Sequence, residues 1–225
     1  MRDNVPLRVA RRRLACLGLS AVIGLVGFEP AQAAGDVDFA ALERGIVEEV
    51  NLARTNPGAY AAWLNGQRPH YRGTQLRRPG ETPIRTKEGL AAVDEAIRWL
   101  GQQRPVGALG LSRGLSLAAR DLTAPQGASG GFGHTGPDGS SPSDRIERHG
   151  RWESMIGENV AYGQRTARDV VAAFIVDDGV PGRGHRKNLF NPSYRVMGAD
   201  CAPHAVYGTT CAVTFAAGFH EKAAP

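Results

Sequence analysis

The chain of 225 residues is 42% hydrophobic and 22% charged, enough to bury one sizeable core and in keeping with one domain plus appendages. Its formal charge of +5 falls to +2 once the five arginines and two acids of residues 1–33 are set aside, which removes any general electrostatic case for nucleic-acid binding. No apolar run is long enough to propose a membrane span.

Residues 1–33 read as a secretory signal peptide. Arg11, Arg12 and Arg13 form a basic region, Leu14 to Phe28 an apolar region, and Ala31-Gln32-Ala33 a small-x-small cleavage site. The expectation is a secreted protein, extracellular or periplasmic, processed near Ala33, with residues 34–225 as a single domain and no transmembrane segment in the mature chain. Cys16 leaves with the signal, so Cys201 and Cys211 remain as an even pair in an oxidising compartment, and a disulfide between them is expected.

The mature chain opens with a helix from Asp38, where Phe39, Leu42, Ile46, Val50 and Ala53 recur at helical spacing, broken by Asn56-Pro57-Gly58. A second helical piece, Ala59 to Leu64, leads into a basic insertion spanning about 65–105. Its first part, 65–89, carries Arg68, Arg72, Arg77, Arg78, Arg85 and Lys87, lacks an apolar period, and reads as a solvated loop. Helices are predicted over Leu90 to Leu100, from Ser112 to near Pro125, as a turn over Ser143 to His149, and over Asp169 to Val176. Arg195 to Cys201 and Thr210 to Phe219 read as antiparallel strands.

Three Gly-rich stretches hold the chemistry: Gly133-His134-Thr135-Gly136, Gly157-Glu158-Asn159 and Gly184-His185-Arg186-Lys187-Asn188. Each is read as a turn that aims an imidazole or a carboxylate inward. Two neutral imidazoles suit a borderline cation such as zinc, and carboxylates complete the shell or orient the rings. Gly127-Ala128-Ser129-Gly130-Gly131 matches the serine nucleophile elbow in letters, but a helix rather than a strand is predicted before it, so the match is set aside. Asn159, Arg186 and Asn188 read as loop supports, and Trp63, Trp99 and Trp152 as packing residues.

Taken in order, Asn51-x-Ala53-Arg54, His134 with Asp138-Gly139 and Arg145-Ile146, Gly157-Glu158-Asn159 and Gly184-His185-Arg186-x-Asn188 resemble the CAP superfamily of cysteine-rich secretory, antigen 5 and pathogenesis-related 1 proteins, also called the SCP domain, here of a bacterial secreted type. The resemblance runs over roughly residues 40–220 outside the insertion. It implies an α+β fold, an α-β-α sandwich with a central antiparallel sheet between helical layers. It also implies a cleft of two histidines and two acids that in some members binds a divalent metal, usually zinc. By motif these are His134, His185 and Glu158, with Asp177 or Asp178 standing where members carry a glutamate, and Phe174 at the place of a tryptophan. The implied role is a binding module for a lipid, a cell-envelope component or a protein; the alternative is a metal-dependent hydrolase with Glu158 as base.

Overall fold

The computed structural model describes residues 37–223, so the expected signal peptide and its cleavage site lie outside the described residues. Helix α1 (Phe39–Thr55) starts where Asp38 accepts the Ala41 amide at 2.9 Å, and it buries Leu42, Ile46, Val50 and Ala53. Asn56 ends α1 and caps α2 (Pro57–Gln67), whose first residue is the proline that suits a helix start.

The basic segment is not the solvated loop expected of it. After a short 3-10 turn, strands β1 (Tyr71–Arg72), β2 (Gln75–Leu76) and β3 (Ile84–Arg85) form an antiparallel meander. Arg78 ties it to the domain, its guanidinium 2.7 Å from Asp169. Helix α3 (Leu90–Gln102) follows with Ala92, Val93, Ala96 and Leu100 buried.

Four strands make the main sheet, in the order β4 (Gly110–Leu111), β6 (Val196–His204), β7 (Gly208–Glu221), β5 (Gly150–Tyr162). The three long strands are antiparallel, as expected of the central sheet, and the two-residue β4 adds a parallel pairing with β6 at one edge. Alternation along β7 divides the core: Cys211, Val213 and Phe215 face α1, α3 and α6 (Ala167–Val176), while Ala212 and Ala216 face α4 (Arg113–Ser129) and α5 (Pro142–His149). The result is the expected helix-sheet-helix sandwich. Cys201 and Cys211 sit opposite each other on β6 and β7 and form the disulfide, with Cα atoms 4.1 Å apart.

Two further departures bear on the site. Helix α4 runs through Pro125 to Ser129 rather than ending near it, so Gly127 to Ser129 are helical and the serine-elbow geometry is absent. Gly157-Glu158-Asn159 is not a turn but the middle of β5, the free edge strand of the sheet.

Candidate functional site

The position of Glu158 and Asn159 on an edge strand explains the cleft. Consecutive strand residues point to opposite faces, so Glu158 enters the α4/α5 side while Asn159 enters the side of α7 (Gly184–Leu189). Each draws one histidine loop to the same free edge. His134, in the loop after α4, places Nδ1 2.9 Å from Glu158 Oε1. Asn159 donates to the carbonyl of His185 at 2.9 Å, and Asn188 donates to Asn159 Oδ1 at 3.0 Å. The two imidazole centroids then lie 6.4 Å apart, with the planes inclined by 37°.

Of the two candidate acids, Asp177 is the cleft residue. Its Oδ1 lies 2.6 Å from His185 Nδ1, and its Oδ2 accepts the His185 amide at 2.9 Å, closing the first turn of α7. Asp178 turns the other way and accepts the amides of Lys87 and Glu88 at 2.6 and 2.8 Å. The divergence comes from the backbone: Asp177 ends α6 in the left-handed region at φ +53°, and Arg183, which donates to the Asp177 carbonyl, is also left-handed at φ +54°. Non-glycine residues in that region are strained, and such strain gathers at sites whose surroundings hold it. Phe174 lies fully buried under His185, centroids 5.7 Å apart.

Both carboxylates are buried, at 2% and 1% side-chain exposure, whereas His134 is 49% and His185 23% exposed. Each ring therefore stands on a buried acid through Nδ1. That contact places the proton of the neutral ring on Nδ1 and leaves the Nε2 lone pair directed away from the carboxylate. The other oxygen of Glu158, Oε2, accepts from Arg145 at 2.7 Å. Arg145 is itself fully buried and also holds the carbonyls of His134 at 3.0 Å and Ser140 at 2.8 Å. The acid thus orients a histidine and neutralises an arginine.

The sequence motifs contained Arg145 and Arg186 without showing what they do. Arg186, buried in α7, clasps Glu95 with contacts of 2.7 and 2.8 Å and sits over the Trp99 ring, so it anchors the His185 helix to α3. Tyr162 and Gln126 were missed altogether. The Tyr162 hydroxyl accepts the Gly133 amide and donates to Gln126, both at 2.8 Å, while Gln126 donates to the Gly133 carbonyl at 3.0 Å. Together they fix the residue preceding His134. The only sequence signal for them was the Tyr closing Asn159-Val160-Ala161-Tyr162.

Residues 47–215 match the CAP family, described as the cysteine-rich secretory protein family. The protein YkwD of Bacillus subtilis (strain 168), itself called uncharacterized, is 32% identical over 97 residues, which are 43% of this chain and 36% of that relative. The matched part thus spans about a third of the relative's length. Among solved structures, an extracellular SCP-domain protein of Bacillus anthracis aligns with a TM-score of 0.41 at 18% identity, covering 56% of this chain and 37% of that one. An outer surface protein of Borrelia burgdorferi aligns with a TM-score of 0.42 at 19% identity, covering 59% of this chain and 91% of that one.

Proposed function

The chain belongs to the cysteine-rich secretory protein (CAP) family, and from that premise we propose that it is an exported binding module whose paired-histidine cleft engages its ligand through two Nε2 atoms. The observation that carries this reading is the pair of buried carboxylates, each tied to an Nδ1, which leave the two outward nitrogens equivalent in chemistry and exposed to a ligand. Export is supported by the signal-like residues 1–33 and by the disulfide.

A divalent ion such as zinc fits the two imidazoles in kind, with Glu158 and Asp177 orienting the rings rather than ligating. One tetrahedral ion would bring the ring centroids to roughly 5 Å, so the 6.4 Å separation calls for a side-chain adjustment of about 1 Å. Among the described residues no three or more His, Cys, Asp or Glu side chains surround one point, so an ion held here would take its remaining ligands from solvent or from a bound partner. Such a site supports binding of an ion or of a ligand's own donor groups. Lipids, envelope components and proteins remain the partner classes that the family resemblance brings.

Zinc titration by calorimetry, with metal analysis of the protein, tests this reading. The wild type should take up at most one zinc, and His134→Ala should abolish the uptake with the circular dichroism spectrum unchanged, because a half-exposed ring contributes little to the core. Zinc uptake that survives in His134→Ala would remove His134 from the site. Chelator-sensitive turnover of ester or peptide substrates would favour the hydrolase reading instead.

A further inference from the structure

We propose that the free edge of β5, just past the histidine cleft, takes up an extended segment of a second polypeptide as an added strand. The register fixes which backbone groups are on offer. Asn159 and Ala161 lie opposite Val213 and Cys211 on β7, and the Gly163 amide donates to the Thr209 carbonyl at 2.9 Å, so the odd-numbered residues here direct their backbone bonds to β7. The even-numbered residues turn theirs to the free side. Tyr194 Oη accordingly donates to the Ile156 carbonyl at 3.1 Å, and Asn188 to the Glu158 carbonyl at 3.4 Å. Past Glu158 such covers stop: among the described residues nothing hydrogen-bonds the amide or carbonyl of Val160 or the amide of Tyr162 from that side.

The opposite edge of the sheet is closed. Beyond β4 the outward amides of β6 donate to Ser116 Oγ from Ala199 at 3.3 Å and to Glu43 from Cys201 at 3.0 Å, and Pro203 has no amide to offer. Sheet edges are normally blunted in this way, so an uncovered stretch on β5 points to a partner.

That stretch opens into a cavity of about 400 Å³ between β5, α6 and the meander, within the size range of ligand sites. Val160 packs its side chain with Ala119 and Leu122 in the α4 layer, and Tyr162 reaches Gln126 there, so both border this cavity through the strand edge. Gln67 and Gln164 on its wall each carry a buried side-chain oxygen with no donor among the described residues. The cavity therefore suits a ligand with N–H donors and C=O acceptors that repeat roughly every 6.8 Å, the spacing of alternate strand residues. An extended peptide has that pattern, and every second side chain of it enters among Leu76, Phe174 and Val176. Charge does not make the choice, because Asp169, Asp177 and Asp178 at the cavity are already engaged by Arg78, His185 and two amides. His134 does not border the cavity and neither imidazole Nε2 takes part, so the proposal goes beyond the paired-histidine reading.

The probes are acetylated and amidated pentapeptides in which threonine alternates with valine, leucine or phenylalanine, titrated by calorimetry and by amide NMR. At least one should bind one-to-one, and the amides of Val160 and Tyr162 should then exchange with solvent at least tenfold more slowly. N-methylation of alternate peptide amides is the decisive comparison. One set, odd or even, should weaken binding tenfold or more and the other less than threefold, because only one side of an added strand pairs with β5. Ile84→Asp, 44% exposed on the cavity wall, should weaken binding fivefold or more. His134→Ala should leave it within twofold, which separates this site from the histidine cleft. No saturable binding by any of the three peptides, equal losses from the two methylation sets, or unchanged exchange at Val160 and Tyr162 would overturn the proposal. A concentration-dependent dimer of the wild type that protects the same two amides would also overturn it, by assigning the edge to a second copy of this chain.

Discussion

Asp200 on β6 is a partly buried carboxylate whose burial the nearby Arg120 charge offsets only in part. Burial, with the nearby Glu43 charge adding to it, pushes its pKa up to about 6, against the hydrogen bond from Thr123. A raised folded-state pKa means that the native protein holds this proton more tightly than the unfolded chain does. The associated stability is fully present below the unfolded value near 3.8 and is lost as pH rises through about 6. Asp200→Asn keeps an acceptor for Thr123 and has no charge to bury. Its advantage over the wild type should therefore grow between pH 4 and 6 by about 2 kcal/mol, then stay flat, as read from urea melts at a series of pH values. A constant offset across that range would mean that Asp200 does not titrate there. The same residue-scale logic explains what was legible in the cleft. His134, Glu158 and His185 stood out in Gly-rich motifs because polar groups at such points demand a reason. Asp177 and Asp178 were inseparable, since their divergence depends on a left-handed φ that no sequence pattern announces. Arg145 was hidden because an arginine in a short helix reads as solvent-facing, and only Glu158 and two carbonyls make its burial tolerable.

Elements with a helical stripe were readable, and those with a broken period were not. Residues 39–55 and 90–102 declared themselves through spaced apolar side chains that do end up buried. Strand β5 did not, because a bulge between Glu153 and Ile156, with Ser154 at φ +65°, interrupts the alternation just before the cleft residues. The stop expected near Pro125 failed for a packing reason. Gln126 and Gly127 are buried beyond the proline, and the contacts of that last turn outweigh the missing amide. The same helix lies so close to the sheet that a Cβ on Gly198 would come within 2.0 Å of the Ser116 amide nitrogen and 2.2 Å of the Leu115 carbonyl carbon. Backbone atoms in a helix cannot rotate aside. Gly198→Ala should lower unfolding stability by about 1–3 kcal/mol by forcing α4 off β6. Gly101→Ala, in α3 with nothing within 4 Å of the new methyl, should instead raise it by about 0.5–1 kcal/mol. Paired thermal melts decide the matter, and a neutral Gly198→Ala would mean that the two layers have slack.

For the whole molecule, the order of the sheet decides where function sits. With β5 at the edge, the loops after α4 and α6 reach its free side from opposite layers, and the two histidines meet across the strand rather than within one layer. The opposite edge is closed by the short parallel strand β4 and by Glu43, which accepts the Cys201 amide at 3.0 Å. The disulfide lies among the buried residues facing α1 and links strands that their ladder already holds in register from Val196 to His204. Its contribution then belongs mainly to the unfolded chain. Closing a loop with a sequence separation of 10 restricts that chain by about 2–3 kcal/mol. The double change Cys201→Ala and Cys211→Ala should lower unfolding stability by roughly that amount. The amide spectrum of the cleft residues and their ligand affinity should remain as in the wild type. Loss of the His134 and His185 signals on removal of the bridge would show instead that the hairpin needs the covalent link to hold the sheet, and through β5 the cleft, in place.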